Sequence, residues 1–142
     1  MLIAGPAIAQ EEIFSKSNAA IQGYDPVAYF KDSKPVKGKN EFSYVWKGAT
    51  WNFVNSQNLN EFKSNPEAFA PQYGGYCAYG VADGHKATTS PDAWTIVDGK
   101  LYLNYNKEVQ ALWRKDQKRY IKVANDRWPA VKKEKDWSSW IG

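Results

Sequence analysis

Cysteine, histidine and methionine are almost absent from the sequence, which has one of each in 142 residues. A single thiol cannot form an internal disulfide, and the spacing between Cys77 and His85 matches no standard zinc finger. The sequence also lacks the Gly-x-Gly-x-x-Gly, P-loop and His-Glu-x-x-His motifs. These absences argue against nucleotide-dependent chemistry and against a zinc protease.

Long hydrophobic runs are absent too, since no stretch reaches the roughly 18 apolar residues that a membrane helix needs. At the N-terminus, Ala7-Ile8-Ala9 before Gln10 has the small-x-small pattern that signal peptidase cleaves, but the apolar stretch before it is too short for a complete signal. We therefore interpret residues 1–18 as a truncated export signal and a polar leader. This predicts a bacterial protein that is periplasmic or secreted; the alternative is a short apolar tail on a cytosolic protein.

Strong charge of one sign is also missing, because the formal net charge is only +4. Residues 100–142 contain 11 Lys or Arg and 5 Asp or Glu, a balance of +6, whereas residues 1–99 contain 8 and 10, a balance of −2. There is no dense arginine run and no nucleic-acid-binding motif. We expect the basic segment to be the solvated face of a helix and expect no nucleic-acid partner.

Aromatic residues, in contrast, are abundant, with seven Trp, nine Tyr and six Phe. Together with 43% hydrophobic and 24% charged residues, they indicate a globular chain whose core is built largely from rings. The length suits one domain. We place this domain at residues 19–131, followed by a charged tail over residues 132–142 that contains Trp137 and Trp140.

Two hairpins are predicted from strand-forming residues around tight turns. Phe42–Trp46 and Ala49–Val54 flank Lys47-Gly48, and Trp94–Val97 and Leu101–Asn104 flank Asp98-Gly99-Lys100. Asp-Gly is a strong turn signal because both residues tolerate positive φ.

Helical signals lie between and after these hairpins. We predict helices from Ser56 to Lys63, from Asn65-Pro66 to Pro71, and from Asn106 to just before Pro129. A loop rich in Gly and Tyr is expected to run from Pro71 to Pro91. The predicted fold is α+β, a small antiparallel sheet of hairpins packed with short helices and one long C-terminal helix.

The order of several segments resembles the YHS-domain family. The resemblance covers roughly residues 20–130 and rests on Gly23-Tyr24-Asp25-Pro26-Val27-Ala28-Tyr29-Phe30, Trp51-x-Phe53-x-x-Ser56 to Phe62-x-x-x-Pro66, Pro71-x-Tyr73-Gly74-Gly75-Tyr76-Cys77-Ala78 and Asp98-Gly99-Lys100-Leu101-Tyr102-Leu103-Asn104. It implies a small α+β domain, often exported in the longer branch of the family, with a role in binding heavy metals, especially copper.

The chain departs from the shorter, cysteine-rich branch of that family. Where that branch has further cysteines, this sequence reads Ala28-Tyr29-Phe30 and Val54-Asn55-Ser56. A metal site in this chain therefore has to be built on Cys77 and His85. A thiolate and an imidazole suit a soft ion such as Cu(I), which accepts low coordination numbers.

Zinc would demand more than this pair, because it usually takes four ligands, or three and a water. Asp25, Asp83 or a second copy of the chain would have to contribute, and the last case predicts a homodimer that shares the ion. The plain alternative is that Cys77 is a small core residue and that His85 is a solvated loop residue.

Tyrosines are frequent in the two segments that most resemble the family. Tyr24, Asp25, Tyr29 and Tyr76 are predicted to form the wall of a pocket that takes the metal ion or a small ligand. The alternative for Asp25 is that it caps a turn.

Other function classes have weaker support. Cys77 could act as a nucleophile with His85 as its base, but no third catalytic member or Gly-x-Ser-x-Gly motif accompanies them. A haem would have one histidine as an axial ligand and no Cys-x-x-Cys-His for attachment. We expect binding rather than catalysis, with a structural or protein-interaction module, acting through Trp137 and Trp140, as the alternative.

Overall fold

The computed structural model describes residues 12–135 as an α+β fold, as the sequence predicts. The strands of the described chain are β1 Ser15–Lys16, β2 Ala19–Ala20, β3 Lys39–Trp46, β4 Ala49–Phe53, β5 Trp94–Val97 and β6 Lys100–Leu103. The helices are α1 Pro26–Asp32, α2 Ser56–Ser64, α3 Pro66–Phe69, α4 Ala78–Ala82, α5 Lys107–Arg114 and α6 Gln117–Val131. The signal-like residues 1–11 and both Trp137 and Trp140 lie outside the described residues.

The strands pair as three antiparallel ribbons of two strands each, β1 with β2, β3 with β4, and β5 with β6. Both predicted hairpins are confirmed. Lys47 and Gly48 turn the first with φ of 51° and 74°, and Asp98 and Gly99 turn the second with φ of 51° and 75°. Positive φ at both central residues matches the right-handed twist of the strands that the turn connects.

Folded structure begins earlier than the predicted boundary at residue 19. Ile13 and Phe14 are buried, and Ser15–Lys16 pairs with Ala19–Ala20. Polar residues flank Ile13 and Phe14 in the sequence, but burial of these two apolar side chains holds the segment against the core.

The helices from Asn55 to Phe69 agree closely with the sequence. Asn55 caps α2 by accepting from the Asn58 backbone N–H at 2.8 Å, and Pro66 occupies the first turn of α3. The predicted loop after Pro71 is wrong in one part, because Ala78–Ala82 forms α4. Gly80 weakens the helical signal of that stretch, so the helix depends on tertiary contacts.

The C-terminal helix also differs from the prediction. It divides at Lys115–Asp116 into α5 and α6, and α6 continues through Pro129 to Val131. Proline so close to the helix end removes one backbone bond, and the Lys132 N–H closes the last turn on the Trp128 carbonyl at 2.8 Å. None of the helices between residues 12 and 135 has the length and hydropathy of a membrane span.

Two clusters of buried side chains form the core. The first includes Ile21, Val27, Tyr29, Trp51, Phe53, Phe62, Leu101 and Leu103. The second includes Phe14, Tyr73, Tyr76, Ala78, Val81, Tyr102, Trp113 and Ala124. Strand β6 contributes alternate residues to both clusters, because successive side chains of a strand point to opposite faces.

Candidate functional site

Cys77 is buried at the start of α4, with 2% of its surface exposed. Its sulfur accepts from the Gly80 backbone N–H at 3.4 Å, and its thiol donates to Asn104 Oδ1 at 3.4 Å. The same Asn104 oxygen accepts from the Tyr79 backbone N–H at 3.0 Å. The thiol therefore belongs to a small buried polar network between α4 and the end of β6.

Burial raises the pKa of the Cys77 thiol, because a buried thiolate loses its hydration. Nearby backbone N–H groups oppose this effect, and the largest contribution among them comes from the Gly80 N–H, which donates to the sulfur. Burial is the larger effect, so Cys77 is a neutral thiol at neutral pH in the ion-free protein.

His85 lies at the other end of the same turn. Its side chain is 16% exposed, and ring atom Nε2 is 3.1 Å from Asp83 Oδ2. The other ring nitrogen, Nδ1, is 3.4 Å from the Lys86 carbonyl oxygen. An imidazole whose one nitrogen contacts a carboxylate is the arrangement that orients many metal-bound histidines.

The backbone brings Cys77 and His85 into one closed turn. The His85 N–H donates to the Gly80 carbonyl at 3.0 Å, and the Cys77 N–H donates to the Ala87 carbonyl at 3.0 Å. A Cβ on Gly80 would lie 3.2 Å from the His85 carbonyl oxygen and 3.6 Å from Cys77 Cβ, so the turn is tightly packed. Within this turn the two side chains have different described partners, Asn104 for the sulfur and Asp83 for the ring.

Asp25 is completely buried and serves as the cap of α1. Its Oδ1 accepts from the N–H groups of Val27 at 2.8 Å and Ala28 at 3.3 Å. Its Oδ2 accepts from the Val54 N–H at 2.9 Å and from Asn58 Nδ2 at 2.8 Å. These four bonds join α1, the end of β4 and α2, so the carboxylate has the capping role that was the alternative in the sequence.

Two of the predicted pocket tyrosines, Tyr24 and Tyr29, belong to the first core cluster. The Tyr29 hydroxyl donates to the Pro91 carbonyl at 2.8 Å, and burial raises its pKa far above the ordinary value. Tyr24 is half-buried at the edge of that cluster, with the Lys37 amine 5.2 Å above its ring.

Tyr76, the third predicted tyrosine, lies in the second cluster next to Cys77 in the chain. Its ring centroid is 5.5 Å from that of Phe14 and 6.3 Å from that of Trp128. The structure therefore groups Tyr76 with Cys77 and places Tyr24 and Tyr29 with the other cluster.

Sequence reasoning missed two polar residues beside the turn. Asn104 is fully buried and bonds the Cys77 thiol, and its signal is a polar residue directly after an apolar strand. Lys86 is also fully buried, with its amine 2.8 Å from the Glu134 carbonyl oxygen and 4.9 Å above the Tyr76 ring. A lysine in a polar loop carries no sequence signal of burial, because its partner is 48 residues away.

Side chains that could hold an ion are sparse near this turn. Between residues 12 and 135, no three His, Cys, Asp or Glu side chains are grouped so that they could hold a metal ion. Comparison of the chain with protein-family models, curated proteins and solved structures gives no match. The resemblance to the YHS-domain family stays a prediction.

Proposed function

We propose that the chain is a binding domain for a soft metal ion, with copper(I) favoured, and that Cys77 and His85 are its ligands. The observation that supports the proposal is the closed turn around Gly80, because the backbones of both residues belong to one hydrogen-bonded segment of eleven residues, 77–87. A thiolate and an imidazole are an adequate pair for Cu(I), whereas zinc would need more ligands.

Charge and hydrogen bonding support ion binding at this turn. Cys77 must lose its proton to become a ligand, and the Gly80, Tyr79 and Tyr105 N–H groups stabilise the resulting thiolate. Asp83 contacts one nitrogen of His85 and can hold the ring while the other nitrogen exchanges its contact with the Lys86 carbonyl for the ion. A bound cation would also offset the cost of a buried negative sulfur.

Copper affinity is the test of this proposal. In an anaerobic competition titration of the full chain with Cu(I), Cys77→Ser and His85→Ala should each weaken binding at least about tenfold, because each removes a ligand. Asp32→Ala is the matched control, since Asp32 is exposed at the end of α1 and lies away from the turn. Unchanged affinity in both ligand variants would overturn the proposal.

Proton release gives an independent readout. Because burial keeps the Cys77 thiol protonated, binding should release a proton, and Cu(I) affinity should rise with pH until the thiol is ionised in the free protein. The Cys77→Ser variant should lose this dependence.

A structural or protein-interaction module is the second candidate. This candidate is favoured because both oxygens of Asp25 accept hydrogen bonds from groups inside the domain, and because the Cys77 thiol donates to Asn104. Both side chains therefore have structural partners already. This candidate predicts that Cu(I) does not shift the melting temperature, whereas an ion bound only to the native state raises it. Export to the periplasm remains part of the main proposal and rests on the sequence alone.

A further inference from the structure

We propose a second site, beside the metal site and sharing Asp83 with its surroundings, in the pocket between α4 and α6, and infer that it binds a small ligand through a phosphate or carboxylate group. The pocket is lined by Tyr79, Ala82, Asp83, Arg119, Tyr120, Val123 and Arg127. Two guanidinium groups and two phenols at one opening provide the donors that recognise an oxyanion.

Arg127 is anchored in this pocket through one of its nitrogens. Its Nη1 donates to the Ala82 carbonyl at 3.0 Å. Gly84 leaves room for this approach, since a Cβ on Gly84 would lie 3.3 Å from Nη1. Among residues 12–135 no carboxylate pairs with Arg127, so its remaining N–H groups and its full charge are available to an anion.

Arg119 is held on the same side of α6 by two neighbours. Its Nε is 2.6 Å from Asp116 Oδ2, and its Cζ lies 4.8 Å from the Tyr120 ring centroid. These contacts restrain the guanidinium at the pocket. The restraint matters because an exposed arginine otherwise loses rotamer entropy when it binds.

The phenols form the wall of the pocket. The ring centroids of Tyr79 and Tyr120 are 5.2 Å apart, and the ring planes are inclined at 64°. Both phenols line the opening, where a hydroxyl can donate to an anion. Val123 and Ala82 add an apolar surface that an uncharged part of the ligand can cover.

Two carboxylates oppose anion binding here, because Asp116 already pairs with Arg119 and Asp83 lines the pocket. Asp83 lies at the rim with its side chain 74% exposed, and its Oδ2 contacts His85 Nε2. His85 does not line the pocket, so this contact turns part of the Asp83 carboxylate away from it, and solvent screens the remaining charge. The Arg127 guanidinium, in contrast, pairs with no carboxylate in the described chain. The balance favours an anion.

Inorganic phosphate and benzoate are the two probes for the test, which uses metal-free full chain at constant ionic strength in chloride. Amide resonances of Ala82, Gly84 and Tyr120 should shift saturably with one or both probes. Phosphate alone would assign the site to phosphorylated ligands, and benzoate alone would assign it to carboxylates. A shift that chloride reproduces would overturn the proposal.

The key variant is Arg127→Gln. Its matched control is Arg114→Gln, because Arg114 is exposed on α5 and its substitution removes the same positive charge outside the pocket. Arg127→Gln should weaken probe binding at least fivefold, and Arg114→Gln should change it less than twofold. Arg127→Lys, which keeps the charge but not the planar fork, should also weaken binding while retaining the fold. Equal affinities in all three variants would overturn the proposal, whatever the outcome of the copper titration.

Discussion

At the scale of single residues, buried polar side chains have the clearest effects on stability. Asp25 and Cys77 are both sealed from solvent, but their bonding differs in strength. Asp25 accepts four bonds of 2.8 to 3.3 Å from nitrogen donors, whereas Cys77 has two contacts of 3.4 Å that involve sulfur. Asp25 is therefore the stronger determinant of stability, and Cys77 has more scope to change its partners.

Replacing Asp25 by Ala should destabilise the protein strongly. The substitution leaves the N–H groups of Val27 and Val54 and the amide of Asn58 without their acceptor in a buried place. Since each unsatisfied buried donor costs about 1–3 kcal/mol, we expect the free energy of unfolding to fall by roughly 3 kcal/mol or more in urea denaturation. Asp32→Ala, at an exposed position of the same helix, should change it by less than about 0.5 kcal/mol. A similar small change for both would show that the cap is unimportant.

Cys77 should make stability depend on pH above neutrality. Burial raises the folded-state pKa of its thiol, so the unfolded chain loses the proton first and the stabilisation present at lower pH is lost as pH rises. The loss begins near the unfolded-state pKa of about 8.5 and has a limiting slope of about 1.4 kcal/mol per pH unit.

Comparison with Cys77→Ser isolates this effect. Buried tyrosines such as Tyr73, whose pKa is also raised by burial, titrate equally in both proteins and cancel in the difference. Urea unfolding in reducing buffer from pH 7 to 10 should give a wild-type curve that falls relative to the variant. Parallel curves would contradict the burial of the thiol.

Sequence reasoning anticipated the local roles of single residues better than it anticipated their distant partners. Capping by Asp25 and burial of Cys77 were both among the alternatives, because Asp before Pro and a lone Cys have known local preferences. The contacts of Cys77 with Asn104 and of Lys86 with Glu134 span 27 and 48 residues. Such contacts depend on the tertiary fold and leave no local pattern.

At the scale of elements, local chemistry explains which predictions were right. Asp98 and Gly99 in the second hairpin and Gly48 in the first tolerate the positive φ that their turns need, and α2 has an Asn cap at its start. In contrast, α4 contains Gly80 and is held by the Cys77 cap and by packing on α6. Near the end of α6, Trp128 and Val131 pack in the second cluster. This packing outweighs the helix-breaking tendency of Pro129.

Two glycines with similar backbone conformation should respond differently to alanine. Gly99 has φ of 75° and open space where a Cβ would lie, so Gly99→Ala should cost only the backbone strain of about 1 kcal/mol. Gly74 has φ of 63°, but its Cβ would collide with the Glu12 carbonyl. Gly74→Ala should therefore cost at least twice as much by thermal or urea unfolding. Equal costs would contradict the packing of the N-terminal segment on this turn.

At the scale of the whole molecule, aromatic packing replaces an extended sheet. Phe62 is fully buried, and its ring centroid lies 5.0 to 6.4 Å from those of Trp51, Phe53, Trp46 and Tyr44. These rings come from both strands of the β3–β4 ribbon, so Phe62 fastens the ribbon to α2. The abundance of aromatic residues predicted such a core, but not which ring is at its centre.

Phe62→Ala should be among the most damaging core substitutions. Loss of a buried phenyl group costs about 3–5 kcal/mol through lost transfer energy and the cavity that remains. Leu112→Ala is the control, since Leu112 is 45% exposed on α5 and should cost less than about 1 kcal/mol. If Phe62→Ala does not fold, Phe62→Leu should still lower the urea midpoint more than Leu112→Ala.

The division of the described strands into three ribbons has a consequence for amide exchange with deuterated water. A two-stranded ribbon is marginally stable alone, and one edge of each strand lacks a partner strand in the described chain. The slowest exchange should therefore be found where rings shield the backbone, around Trp51 and Phe53, and not uniformly along the strands. Deuterium uptake would then map the aromatic clusters as the most persistent part of the molecule.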